Sequence, residues 1–104
     1  MSAVKAVFDE IDARLKEDPA KSKAIDGTFR FNVTGNGEGT YLVDTRAVEV
    51  RVGDEAGEVT ITVDGDDLVS IKEGSLDAMQ AFMIGKVQVD GDFGLAMKLQ
   101  QILS

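Results

Sequence analysis

Histidine, cysteine and tryptophan are absent from this 104-residue sequence, and proline occurs once. Without histidine there is no imidazole base and no imidazole metal ligand. Without cysteine there is no thiolate nucleophile, no zinc–thiolate or iron–sulfur site and no disulfide scaffold. Serine–histidine–aspartate and cysteine–histidine mechanisms are excluded on the same ground. No run of roughly 18 apolar residues occurs, so nothing reads as a bilayer-spanning helix. The opening Met1-Ser2-Ala3-Val4-Lys5 enters an amphipathic pattern directly, without a secretory apolar core. With neither a peroxisomal nor a prenylation signal at Ile102-Leu103-Ser104, a cytoplasmic location is expected.

Positive charge is also scarce: 11 Lys and Arg stand against 19 Asp and Glu, for a formal net charge of -8. Nucleic acid needs a basic footprint, so no nucleic-acid partner is expected. The imbalance is local. Residues 1–52 hold 8 basic and 9 acidic groups, and residues 53–104 hold 3 and 10. An acidic, solvated face is the plain physical reading of that second half.

What the sequence does have is a core's worth of apolar residues, 43% of the chain, enough for one domain over residues 1–104. Val4, Val7, Phe8, Ile11 and Leu15 recur at helical spacing, and Pro19 marks the end of that helix. The period then changes to two. Phe29, Phe31 and Val33 alternate with polar residues, and Gly35, Gly37 and Gly39 supply a hairpin turn into a second strand at 40–44. Val48, Val50 and Val52 read as a third strand, and Val59, Ile61 and Val63 as a fourth, completing a meander.

After Val63 helical spacing returns. Asp64 to Asp67 offer N-cap carboxylates, Gly74 stops that helix, and a second short helix from about Asp77 ends at Gly85. Val87 and Val89 make a fifth strand broken by Gly91, and a last helix is expected over 93–103. Strands clustered together with helices at the ends give the α+β class, helices packed on one face of the sheet. The last helix is apolar on more than one stripe, so it is buried on several sides or covers something that is not protein.

The candidate chemical motifs have plainer explanations. Gly35-x-Gly-x-Gly39 leads into a strand rather than a helix, which makes it a turn and not a phosphate cradle. Asp64-Gly65-Asp66-Asp67 lacks the ligand spacing of a calcium loop, because Leu68 and Val69 occupy the fifth and sixth positions. Helix capping suits it better. No metal site, cofactor or catalytic constellation is expected. Met79, Phe82, Met83 and Met97 read either as core packing or as the wall of an adaptable apolar pocket.

Residues 58–103 carry a more specific pattern. Glu58-Val-Thr-Ile-Thr-Val63, Asp66-Asp67-Leu68, Gly74-Ser-Leu-Asp77, Ala81-Phe-Met-Ile-Gly85-Lys86, Gly91-Asp92 and Lys98-Leu-Gln-Gln-Ile-Leu103 follow one another without gaps. In this order and spacing they closely resemble the sterol carrier protein 2-type lipid-binding domain family. The first half matches more weakly, through its amphipathic helix and Phe29/Phe31 before the glycine turns.

The resemblance implies a five-stranded, mostly antiparallel sheet with helices on one face, enclosing a hydrophobic tunnel. It implies a non-catalytic domain that binds and transfers a fatty acid, fatty acyl-CoA, phospholipid or sterol-like ligand, with transient membrane contact. By position, it places Leu68, Ile71, Phe82, Met83, Met97 and Leu99 near the tunnel, with Gln100 facing a ligand head. Ser75, Ala78 and Asp90 depart from the family pattern and remove positive charge or rigidity there. Anionic ligands and membranes are then the less suitable ones. The alternative is a protein-interaction or dimerisation module using the apolar face of the C-terminal helices.

Overall fold

The structure, a computed structural model, describes residues 3–98. Helix α1 spans Ala3–Glu17 and buries the expected stripe of Val4, Val7, Phe8, Ile11 and Leu15. Phe8 stacks on Tyr41 with ring centroids 3.9 Å apart and meets Phe31 edge-on at 5.3 Å. Pro19 ends α1 as expected, but it also opens a helix that the spacing did not announce. Helix α2 spans Pro19–Ile25, with proline in its first turn and Asp18 as N-cap accepting the Lys21 N–H. Proline's fixed φ and missing donor suit that first turn as well as they forbid continuation. The buried Ser22 hydroxyl donates to the Leu15 carbonyl at 2.8 Å and ties the two helices together.

The sheet comprises β1 (Thr28–Thr34), β2 (Gly39–Asp44), β3 (Glu49–Val52), β4 (Val59–Asp64) and β5 (Val87–Gly91). Their order is β3-β2-β1-β4-β5, so the expected four-strand meander is corrected. β4 does not extend from β3. It crosses to the far side of β1 and pairs with it in parallel, Phe29 opposite Val59, Phe31 opposite Ile61 and Val33 opposite Val63. The other three pairings are antiparallel. The crossing brings the two most regularly alternating strands together at the centre, where each has a hydrogen-bonded neighbour on both sides and buries one face. Gly53 donates to the Thr40 carbonyl, Asp54 pairs with Arg30, and Glu58 donates to the Thr28 carbonyl, which pins the connection.

The third strand is also shorter than its valine alternation suggested. Val48 precedes it, with φ at 59°, in the left-handed region that β-branched residues rarely adopt. The turn that holds it there is built by the Asp44 carboxylate, which accepts the N–H groups of Arg46 and Ala47. At the outer edge of the sheet the Val50 N–H donates to Asp12 of α1, so that edge amide is covered.

Beyond β4, helix α3 (Gly65–Glu73) starts at the Asp64 cap and stops at left-handed Gly74, as the residues indicated. Helix α4 (Ala78–Met83) is capped by Asp77, whose carboxylate accepts the N–H groups of Met79 and Gln80. Gly91 belongs to β5 rather than breaking it, since it lies opposite Val59. A side chain at Gly91 would come within 2.6 Å of the Glu58 carbonyl, so only glycine allows the strands to close there. Helix α5 covers Phe93–Ala96, capped by Asp92, with Met97 and Lys98 in a turn. The remainder of the helix expected over 93–103 lies outside the described residues. The core sits between the helices and the sheet face carrying Phe29, Phe31, Val43, Val59, Ile61 and Val63. Among the described residues, no helix is long and apolar enough to cross a membrane.

Candidate functional site

The strand registers build the floor of the site. Phe31 lies beside Ile61 and Ile61 beside Val89, while Val63 lies beside Val87, so three strands present adjacent apolar rows on the helix side. Above that floor stand Leu68 and Ile71 of α3, Ala78, Met79 and Phe82 of α4, and Phe93, Ala96 and Met97 at the α5 end. Together these residues enclose a cavity of about 90 Å³. Phe82 and Phe93 close part of the roof edge-to-face, with centroids 5.9 Å apart.

Every described lining side chain is Phe, Ile, Val, Leu, Ala or Met, so none can act as nucleophile, acid or base. The described lining suits an apolar group. Titration is perturbed elsewhere. Lys16 holds the Asp12 carboxyl below its usual range, and Arg46 does the same for Glu58. Burial raises Asp44, but the Ala47 amide and the Arg51 guanidinium outweigh it and leave its carboxyl lowered. All three belong to charged networks outside the cavity. Among the described residues, no group of three or more acidic side chains is placed to hold a metal ion.

Of the residues singled out from the resemblance, Leu68, Ile71, Phe82 and Met97 line the cavity. Met83 does not; it is 77% exposed on the outer side of α4, because the helical turn that aims Met79 and Phe82 inward carries the next residue out. Leu99 and Gln100 lie outside the described residues. The floor residues were missed as site residues, although the alternation of Phe31, Ile61, Val63 and Val89 already set them on one face. Met79, in contrast, belonged to the methionine–aromatic set that suggested a pocket wall.

An open α+β sheet with an apolar cavity under three short helices defines a small binding domain for apolar molecules. The SCP-2 sterol transfer family model matches residues 8–104, and the chain belongs to that family. It is a lipid-binding and lipid-transfer domain. It is 36% identical over 103 residues to sterol carrier protein 2 of Oryctolagus cuniculus, covering 92% of this chain and 19% of that protein. The chain thus spans about a fifth of the length of the first curated relatives it matches. It is 31% identical to non-specific lipid-transfer protein-like 1 of Caenorhabditis elegans, covering 93% of this chain and 86% of that one. Among solved structures, sterol carrier protein 2 of Aedes aegypti in complex with palmitate superposes with a TM-score of 0.85. That match covers 100% of this chain and 96% of the other at 25% identity.

Proposed function

We propose that residues 1–104 form one non-catalytic carrier domain whose cavity takes the aliphatic part of a fatty acid, acyl-CoA, phospholipid or sterol-like ligand. Leu68, Ile71, Phe82 and Met97 form part of its wall. The observation that carries this reading is the lining between sheet and helices, apolar at every described residue. Each buried methylene contributes about 0.8 kcal/mol, so a short stretch of chain suffices for useful affinity. The palmitate complex of the Aedes aegypti relative supports the same ligand chemistry.

The cavity's about 90 Å³ is less than the roughly 150 Å³ that accommodates a benzene. A long chain therefore enters by parting the roof, and α4 and α5, short and separated by β5, are the elements that yield. The rim of that roof is exposed: Met83 is 77%, Met97 64% and Phe93 54% accessible. Such a rim suits transient contact with a bilayer surface, where a ligand passes between membrane and cavity without crossing water. The apolar stripe of α1 offers no alternative contact face, since it is buried against the sheet. The cytoplasm is the proposed compartment.

The test is uptake of a fluorescent fatty acid by delipidated protein. Phe82→Asp sets a carboxylate in the roof and is expected to abolish uptake while leaving the circular dichroism spectrum native. Stoichiometric uptake by that variant overturns the cavity assignment.

A further inference from the structure

Methionine supplies all the sulfur in this chain: cysteine is absent, and the four methionines are Met1, Met79, Met83 and Met97. Met1 lies outside the described residues. The other three fall on the roof, and the structure divides them. Met79, in the first turn of α4, and Met97, directly after α5, both line the cavity yet are 49% and 64% exposed. Met83, at the end of α4, is 77% exposed and does not line it. Two thioethers thus belong to the cavity wall and meet water as well, while a third on the same roof meets water without joining the wall.

A thioether takes no part in acid–base or displacement chemistry on a lipid, but it accepts an oxygen atom from a peroxide. The S–O bond forms as the O–O bond breaks; sulfur gives up two electrons, and the rest of hydrogen peroxide leaves as water. With no cysteine in the chain, no thiol competes for the oxidant. The product, methionine sulfoxide, is polar and calls for a hydrogen-bond donor. Every other described lining side chain is Phe, Ile, Val, Leu or Ala, so the wall offers no side-chain donor. The sulfoxide oxygen either stays unpaired against a bound chain or turns to water and withdraws its side chain from the wall. Both outcomes oppose binding of an apolar ligand.

We propose that Met79 and Met97 are a modification site that makes lipid binding redox-sensitive. Oxidation of these two sulfurs by a peroxide weakens the hold on an apolar chain, and a bound chain shields the same two sulfurs. The proposal rests on the lipid-carrier reading above and adds a chemical control to the same cavity. One unpaired polar group set against the ligand weakens binding by about tenfold.

The experiment treats the delipidated full chain with hydrogen peroxide, removes the excess, and follows each methionine by peptide mass spectrometry alongside uptake of a fluorescent fatty acid. Oxidised wild type is expected to bind about tenfold more weakly, and methionine sulfoxide reductases to restore its affinity. Met83→Leu is expected to lose affinity on oxidation as wild type does. In the double variant Met79→Leu with Met97→Leu, a swap close in volume, peroxide is expected to leave the variant's own affinity unchanged. In wild type, excess palmitate is expected to slow oxidation of Met79 and Met97 several-fold while Met83 keeps its rate. Unchanged uptake by protein oxidised at both positions, an equal loss in the double variant, or equal protection of all three methionines overturns the proposal and leaves lipid binding intact. Absence of uptake by untreated wild type overturns the carrier reading and this proposal with it.

Discussion

Leu68→Ala tests whether the cavity is a ligand site rather than a packing defect. Leu68 is 1% exposed, belongs to the core and lines the cavity. Truncating a buried leucine to alanine costs about 2–5 kcal/mol, the spread reflecting how far the surroundings collapse. Here the new void joins an existing space of about 90 Å³ walled on one side by the rigid sheet, so collapse is limited. A loss of about 3 kcal/mol is expected in delipidated protein, or about 12–24 °C in melting temperature at 4–8 °C per kcal/mol. A bound alkyl chain can occupy the same void. At about 0.8 kcal/mol per buried methylene, two methylenes restore roughly half of the loss. Urea unfolding of wild type and variant checks this, without lipid and with the same free lipid concentration well above both Kd values, where tighter binding by the variant offsets part of its loss. Equal losses with and without lipid refute the shared space. A loss below about 1 kcal/mol without lipid refutes the rigid cavity.

Gly65, at the start of α3, is a second point of close approach: a Cβ there would lie 1.7 Å from the Asn36 carbonyl oxygen, a backbone atom that cannot swing aside. Gly65→Ala is expected to lower stability by at least about 2 kcal/mol in urea unfolding, against the usual gain of about 0.5–1 kcal/mol when alanine replaces a helical glycine. A stabilised variant contradicts the clash. Acid sensitivity follows from Asp12, Asp44 and Glu58, whose folded-state values lie below the ordinary 3.8, 3.8 and 4.5. A depressed carboxylate stabilises the fold fully above its ordinary value and loses that contribution as pH falls through the folded one. Thermal melts are therefore expected to stay level down to about pH 5 and to decline below 4.5 and on past 3.8. A decline already complete above pH 5.5 contradicts this assignment.

Much of the local structure was legible because its signals are local. The cap at Asp64 was readable in the Asp64–Asp67 run because a carboxylate just ahead of free N–H groups has one obvious use, whereas the caps at Asp77 and Asp92 emerged only in the structure. The alternation of Phe31, Ile61 and Val63 fixed which side chains share a face. α2 was missed because Pro19 carries two opposite messages, stopping one helix and starting the next. Val48 was misplaced because a valine in the left-handed region contradicts its own preference, and only the Asp44-anchored turn and burial around it hold that conformation. For the site, the resemblance brought Leu68, Ile71, Phe82 and Met97 within range, while the floor came from β1, β4 and β5 and needed their registers.

By itself the sequence excluded imidazole and thiolate chemistry, set the α+β class and marked an acidic second half rich in apolar helix. Those properties depend only on residue type and on spacing within one element. The tertiary structure decided that β4 lies beside β1 rather than β3 and that Met83 turns outward. Periodicity reports which face of a strand or helix is apolar but not which neighbour covers it. A short connection such as 53–58 closes at similar entropic cost onto more than one partner strand. Burial of complete apolar rows across β1, β4 and β5 selects among them, and that term exists only once the chain has folded.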